Sequence, residues 1–395
     1  MHGYAWGGSE ELWYRTALLA LEKGDQVWAC VHRRDEPNPK LERLEAAGAL
    51  VCRRATRLFE PEPGLKAAYD ASVRPGAWQR AVRKGKKALL GIPYPPYPKR
   101  PKYYFSQALR DLLAFRPDVV CISQGGAYET ALTPLADLLL DHPLPYLLVC
   151  HSYTDRETPP EAERQRIIRL FEAAKKVGMV ARHQIATVQR QLAVRPGNVI
   201  QVENPVNLDA FAVLPMPPFT PVQLAMVGSL TVNWKGQDLM LEVLSQPVWR
   251  DRDWTLNLYG EGPDEAYLRR LAAFYGIAGR VRFHGHAPDI RANWQANHLL
   301  LVPSRQDSGP MVLVEAMLCG RPVVATHVGL GAEWVEEGVN GFGAAAATVP
   351  LLSQTLEKAW QARPHWQTLG ENAFRYASAR KSKQPEAAFY DCITR

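Results

Sequence analysis

The stretch Val302-Pro-Ser-Arg-Gln-Asp-Ser-Gly-Pro-Met-Val-Leu-Val-Glu315 decides how this chain is read. Leading into it, His298 to Val302 is an apolar run with the character of a buried parallel strand. Gly309 and Pro310 then mark a turn, and Met311 to Cys319 has the pattern of a helix stopped by Gly320. A strand that passes through a Gly/Pro turn into a helix leaves free backbone N–H groups at the sheet edge. The positive end of the helix dipole points the same way. Phosphate groups bind at such ends. Two carboxylates bracket the turn: Asp307 before the helix and Glu315 about one turn inside it. That spacing lets one face a sugar and the other a ribose. An ordinary strand–loop–helix with a capping Asp fits the same residues.

Composition narrows the class. A chain of 395 residues with 47% hydrophobic residues has room for two α/β domains with large cores. The cysteines (Cys30, Cys52, Cys121, Cys150, Cys319, Cys392) are scattered, with no CxxC and no metal-ligand spacing. They have the pattern of reduced thiols in a cytoplasmic protein. The opening residues lack a signal-peptide pattern, and no apolar run is long enough to span a bilayer. No P-loop, nucleophile elbow or zinc spacing occurs.

The net charge of +7 is unevenly placed. Between Asp70 and Asp111 there is no acidic residue, yet the interval from Arg74 to Arg110 carries more positive charge than the whole chain nets. It also holds Trp78, Tyr94, Tyr97, Tyr103, Tyr104 and Phe105 among prolines. Basic and aromatic residues together suit an anionic membrane surface or an anionic acceptor. Nucleic acid ranks well behind. A solvated basic insertion without a partner is the plain alternative.

Along the chain, Gly7-Gly8-Ser9-Glu10 precedes a helix expected over Glu11 to Lys23, so backbone there can approach a ligand closely. Strands are expected at 26–31, 50–52, 118–123, 146–150, 177–181 and 200–203, with helices at 40–47, 107–115 and 161–175. His151 ends the strand 146–150, at the edge where parallel sheets bind ligands. The proline-rich segment Pro215 to Pro221 is read as a linker. Beyond it, strand and helix alternate again. Val222 to Val227 leads to Gly228-Ser229, and Lys235-Gly236 precedes a helix, which suits a cation reaching a diphosphate. Trp254 to Tyr259 ends at Gly260, and Val281 to His284 ends at Gly285-His286. Asp251-Arg252-Asp253 has the form of a metal-binding pair but stands at the amino end of a strand, and it is read as a solvated turn.

In order and spacing, several stretches together resemble the retaining glycosyltransferases of family 4, over nearly the whole chain. They are Gly7-Gly8-Ser9-Glu10, Asn204 to Phe211, Val227-Gly228, Lys235-Gly236, Gly260 to Pro263, Pro303-Ser304, Asp307 to Met317, Gly320 to Ala325, and Asn340-Gly341-Phe342. The resemblance implies a GT-B fold, with two Rossmann-like doubly wound domains facing across a cleft. It divides the chain into an acceptor domain (1–213), a donor domain (214–375) and a C-terminal helix (376–395) packing back on the first.

The resemblance also implies roles. Asp307 falls near the donor sugar hydroxyls, Glu315 on the ribose, Lys235 on the diphosphate, and His151 near the donor sugar. Gly7, Gly8, Gly228, Ser229 and Gly260 line the donor. Gly309 and the helix-start amides around Pro310, Met311 and Val312 face the phosphates. His284, Gly285 and His286 lie by the base. The implied partners are a nucleotide-sugar donor and a saccharide or lipid-linked acceptor in cell-surface polysaccharide or glycolipid synthesis. The implied location is cytoplasmic and peripheral on the inner membrane through Arg74–Arg110. No metal and no cofactor is expected.

Three positions depart from the family pattern: Ser229 stands where arginine is usual, Asp307 where glutamate is usual, and no strand precedes Gly7. The first of these removes one diphosphate cation unless Arg305, Arg321 or Arg182 substitutes. The third departure predicts a natural protein with about 8–12 further residues upstream, or a truncated form. A non-catalytic nucleotide-sugar-binding protein, a nucleotide-sugar epimerase and a pyridoxal-phosphate phosphorylase of the same fold stay open as alternatives.

Overall fold

The computed structural model describes residues 6, 8–32, 38–54, 59–61, 103–105, 107–133, 135–142, 144–152, 158–287 and 289–395. Gly7 and the basic run Arg74–Lys102 lie outside the described residues. Packing divides the chain into Ala20–Asp118 and a larger unit, Met1–Leu19 with Val119–Arg395.

In the smaller unit, β1 (Trp28–His32) pairs in parallel with β2 (Leu50–Arg54). They are joined through the helix Pro39–Ala46, whose first amides are capped by the Asn38 side chain. A short antiparallel pair, β3 (Phe59–Pro61) with β4 (Tyr103–Phe105), precedes the helix Gln107–Phe115.

The larger unit holds two parallel sheets. The first runs in chain order: β5 (Val120–Gly126), β6 (Tyr146–Ser152), β7 (Lys176–Met179) and β8 (Val199–Gln201). The second is built from β9 (Val222–Val227), β10 (Trp254–Tyr259), β11 (Val281–Gly285), β12 (Leu299–Val302), β13 (Val323–Thr326) and β14 (Gly341–Ala344). Its order is β11-β10-β9-β12-β13-β14, the doubly wound arrangement of a Rossmann-like sheet. The chain winds outward from β9 in one direction and from β12 in the other, so the order reverses between these two neighbours.

Successive strand residues serve opposite faces. Leu224, Leu301 and Val324 join a core with Met240, Leu244, Trp254 and Leu356. Ala225, Leu300, Val302 and Val323 join a second core with Leu313 and Met317. Because both faces are covered, these strands are continuous apolar runs rather than alternating ones. The C-terminal helix Pro385–Thr394 places Phe389 against Leu12, Val149, Val180 and Val202.

Several local readings change, a helix and a strand start among them. The helix Arg182–Leu192 is absent from the sequence expectation. Its buried face carries Gln184, Thr187 and Gln191 beside Val188 and Leu192, so no apolar stripe announces it. β12 begins at Leu299 rather than His298. His298 is buried and its imidazole bridges Gln223 N–H and Pro217 O, tying the linker to the sheet.

Arg321 anchors the same linker. It is 0% exposed, and among the described residues its hydrogen bonds go to backbone carbonyls. Nε donates to Trp294 O and Asn297 O, Nη1 to Leu214 O, and Nη2 to Pro215 O, all within 2.7–2.8 Å. Burial pulls its pKa down to about 10. The expectation that Arg321 substitutes for a diphosphate cation is therefore corrected: the guanidinium is spent inside the fold. Arg321→Met should lower the unfolding free energy by about 3 kcal/mol or more, because several buried carbonyls lose their donor. Urea unfolding of the two proteins checks this, and equal midpoints would contradict it.

Candidate functional site

The loops leaving β9 and β12 meet where the strand order reverses. Lys235 closes the short helix Val232–Lys235 after β9, and Asp307 lies in the loop after β12. Lys235 Nζ donates to Asp307 Oδ2 at 2.5 Å, with the lysine about one-third exposed. Two glycines make the approach possible. A Cβ on Gly236 would sit 2.1 Å from Pro303 O, and one on Gly260 would sit 2.1 Å from Gly228 O. Both also have positive φ, of 69° and 127°. The loops after β9, β10 and β12 are thus pressed together backbone to backbone.

The loop carrying Asp307 is held from behind. Arg305 and Gln306 donate their N–H groups to Trp234 O, at 2.8 and 3.2 Å. The Arg305 guanidinium donates to Val232 O and to both carboxylate oxygens of Asp238. Arg305 is therefore a clamp and not the spare cation that it was a candidate to be. The third candidate, Arg182, is bonded to Gln201 Oε1 at 3.2 Å. Ser229 Oγ lies 2.8 Å from Thr231 Oγ1, and its carbonyl accepts from the Gln237 side chain, so this loop is closed by neutral groups.

Glu315 sits in the helix Met311–Leu318, where every residue from Leu313 to Leu318 is buried. A helix apolar all round is a core helix, and Glu315 is its one carboxylate. Glu315 is 6% exposed, and it accepts the Asn207 N–H at 3.5 Å. Burial outweighs that long bond and pushes its pKa up to about 7. The helix start at Pro310–Val312 adjoins the N-terminal helix, since Met311 Cγ lies 3.4 Å from where a Gly8 Cβ would be. Gly309 packs on Val180, at the end of β7.

His151 belongs to the other sheet, at the carboxyl end of β6. Its Nε2 lies 3.0 Å from Ser123 Oγ, on β5. Its Nδ1 is closed off from solvent and has no partner among the described residues. Burial lowers its pKa to about 4, so the ring is a neutral imidazole at neutral pH. His284 stacks on Tyr259 with ring centroids 4.4 Å apart and contacts Asn257 Oδ1 at 2.9 Å, while His286 is exposed. Gly285 O accepts the Gly260 N–H at 2.7 Å, which joins this edge to the β10 loop.

The structure thus gathers Gly228, Lys235, Gly260 and Asp307 at one point. Gly8, Gly309, Pro310 and Met311 gather at the helix start beside Glu315. Gly7 lies outside the described residues. Glu333 was missed: its carboxylate accepts the His183 N–H at 2.8 Å and so ties the region after β13 to the helix after β7. The Gly329-Leu-Gly331-Ala-Glu333 run was the available signal.

Residues 221–361 match the family model described as Glycosyl transferases group 1. A D-inositol 3-phosphate glycosyltransferase of Frankia alni is 38% identical over 147 residues, 34% of this chain and 35% of that protein. An uncharacterized glycosyltransferase of Haemophilus influenzae is 30% identical over 152 residues, 38% of this chain and 41% of that protein. The chain thus spans well under half the length of these curated relatives. Among solved structures, Anabaena HepE in complex with UDP and glucose aligns with a TM-score of 0.69 at 18% identity, covering 98% of this chain and 96% of that one. WaaG, a glycosyltransferase involved in lipopolysaccharide biosynthesis, aligns with a TM-score of 0.65 at 17% identity, covering 99% and 97%. The fold is GT-B.

The buried carboxyl makes a pH prediction. The pKa of Glu315 in the fold, about 7, lies above the ordinary 4.5. The native state therefore holds the proton more tightly than the unfolded chain. The cost is absent below pH 4.5, grows between 4.5 and 7, and is complete above 7, at roughly 3 kcal/mol. Ligand-free Glu315→Gln should match the parent near pH 4 and exceed it in stability at pH 8. Denaturant unfolding across pH checks this, and parallel profiles would contradict it.

Proposed function

We propose that this protein is a retaining, metal-independent glycosyltransferase of family 4 type. It moves a sugar from a nucleotide-sugar to a saccharide or lipid-linked acceptor in polysaccharide or glycolipid synthesis. The observation that carries the reading is the Lys235–Asp307 contact at the strand-order reversal, beside a buried Glu315 on the helix that starts there. A cation and a helix start converging on one point suit a diphosphate. A buried carboxylate with one long hydrogen bond suits a diol that donates to it. Named relatives agree in class: HepE holds UDP-glucose in one structure, and a Rhizobium leguminosarum relative is a lipopolysaccharide core mannosyltransferase.

In this reading Lys235 exchanges its contact with Asp307 for the diphosphate. Asp307 is then released to accept from the donor sugar hydroxyls. Glu315 takes the ribose, and the amides at Met311 and Val312 meet phosphate oxygens. The departing diphosphate oxygen takes the acceptor's proton on the face it leaves, so the anomeric configuration is kept. The protein contributes positioning and charge stabilisation. Arg74–Arg110 is assigned, on composition, to an anionic acceptor or membrane leaflet.

The test is thermal shift and nucleoside-diphosphate release across UDP-, GDP-, ADP- and dTDP-sugars. One donor should stabilise the protein and be slowly hydrolysed. Lys235→Ala should weaken that donor by about 10–100-fold, the worth of a charged hydrogen bond. Unchanged affinity would remove Lys235 from the site. Binding without any turnover, with or without acceptors, would favour the non-catalytic alternative.

A further inference from the structure

The surroundings of His151 are built more tightly than a surface histidine requires. The Gln184 side chain, 0% exposed, donates to Cys150 O at 3.0 Å and Ser152 O at 3.3 Å, the carbonyls on either side of His151. Its own oxygen accepts the Val180 N–H at 3.1 Å. Val180 is the residue that Gly309 packs against, so the same side chain ties the backbone of His151 to the loop carrying Asp307. Ser152 Oγ donates to Gly125 O at 2.9 Å, which locks the ends of β5 and β6 together. Within this frame, among the described residues, the ring has one hydrogen-bond contact, Ser123 Oγ at 3.0 Å from Nε2, and one shielded atom without a partner, Nδ1.

A neutral imidazole has one N–H and one acceptor nitrogen. Ser123 has a single hydroxyl proton, and the Nε2 contact is the hydrogen bond the structure gives it. If Nε2 carried the ring proton, the serine proton would lack that acceptor and Nδ1 would be a bare, shielded lone pair. If serine donates to Nε2, its proton is used and Nδ1–H is the group left over. A shielded donor without an acceptor is costly unless a ligand supplies one.

We infer that Ser123 is a positioning residue that holds His151 in the Nδ1–H tautomer, so that Nδ1 donates to an oxygen of the transferred sugar. The inference rests on the donor reading above. The meeting of ring and donor sugar belongs to that reading; what is added is Ser123 as the residue that orients the ring. Gln184 places the backbone; Ser123 selects the proton.

The tautomer is read directly from two-bond 1H–15N spectra of the full chain labelled with 15N-histidine, with the His151 signals identified by their loss in His151→Gln. The ligand-free protein should carry its proton on Nδ1. Ser123→Thr should keep it there, and Ser123→Ala should move it to Nε2 or to a mixture. The Nδ1 signal should shift with the stabilising nucleotide-sugar and not with the matching nucleoside diphosphate alone. Ser123→Ala should lower kcat/KM for the donor about tenfold while leaving nucleoside-diphosphate affinity unchanged, and Ser123→Thr should restore it. A proton on Nε2 in the parent, or an unchanged tautomer in Ser123→Ala, would overturn the role of Ser123. An equal shift with the diphosphate alone would overturn the sugar contact. Failure of every nucleotide-sugar to bind would overturn the donor reading and the sugar contact with it, while the ligand-free tautomer still reports on Ser123.

Discussion

The site depends on a constraint of sheet topology. β9 and β12 are hydrogen-bonded neighbours, yet the chain winds away from them in opposite directions. No crossover helix can fill the space between the two loops that leave their carboxyl ends, so those loops face each other. Lys235 and Asp307, far apart in sequence, come within 2.5 Å there because their strands are adjacent. The close backbone approaches at Gly236 and Gly260 hold that arrangement, and the Arg305 clamp on Asp238 and Val232 keeps the second loop from relaxing outward.

A second feature is the charge placed where the fold least favours it. The helix Met311–Leu318 packs into a core and is apolar around its circumference except at Glu315. Ordinary folding would prefer a leucine there. The carboxyl is tolerated because it holds its proton near neutrality, and because Asn207 offers one amide. A ligand that supplies two donors would use the acceptor capacity this carboxylate leaves, and buried carboxyls with raised pKa values are candidates for binding sites on that ground. His151 is comparable in uncharged form, with one nitrogen used by the fold and the other without a partner among the described residues.

Much of this was legible in the residues, and the reasons are specific. The strand–turn–helix at 298–318 carried its own signals: a buried apolar run, Gly309-Pro310, and Gly320 at the helix end with φ 72°. The alternation of such units gave two α/β domains, and the GT-B fold came from the resemblance that their motifs carry in order and spacing. The helix Arg182–Leu192 was not legible, because its buried face carries Gln184, Thr187 and Gln191, and both glutamines hydrogen-bond inward. Arg305 and Arg321 looked like spare cations, since a sequence does not show which carbonyls or carboxylates a guanidinium will meet. Gln184 and Ser123 carried no local signal at all; their partners come from strands and helices brought together by the sheet.

The most direct measurement is the number of protons exchanged when the nucleotide-sugar binds, from titration calorimetry in buffers of different ionisation enthalpy near pH 7. The ribose hydroxyls are assigned to donate to the Glu315 carboxylate, which stabilises its charged form and lowers its pKa. Binding should therefore release a fraction of a proton from the parent protein, and the release should vanish in Glu315→Gln. Proton-neutral binding in the parent, or the same release in Glu315→Gln, would contradict the placement of the nucleotide on this buried carboxyl.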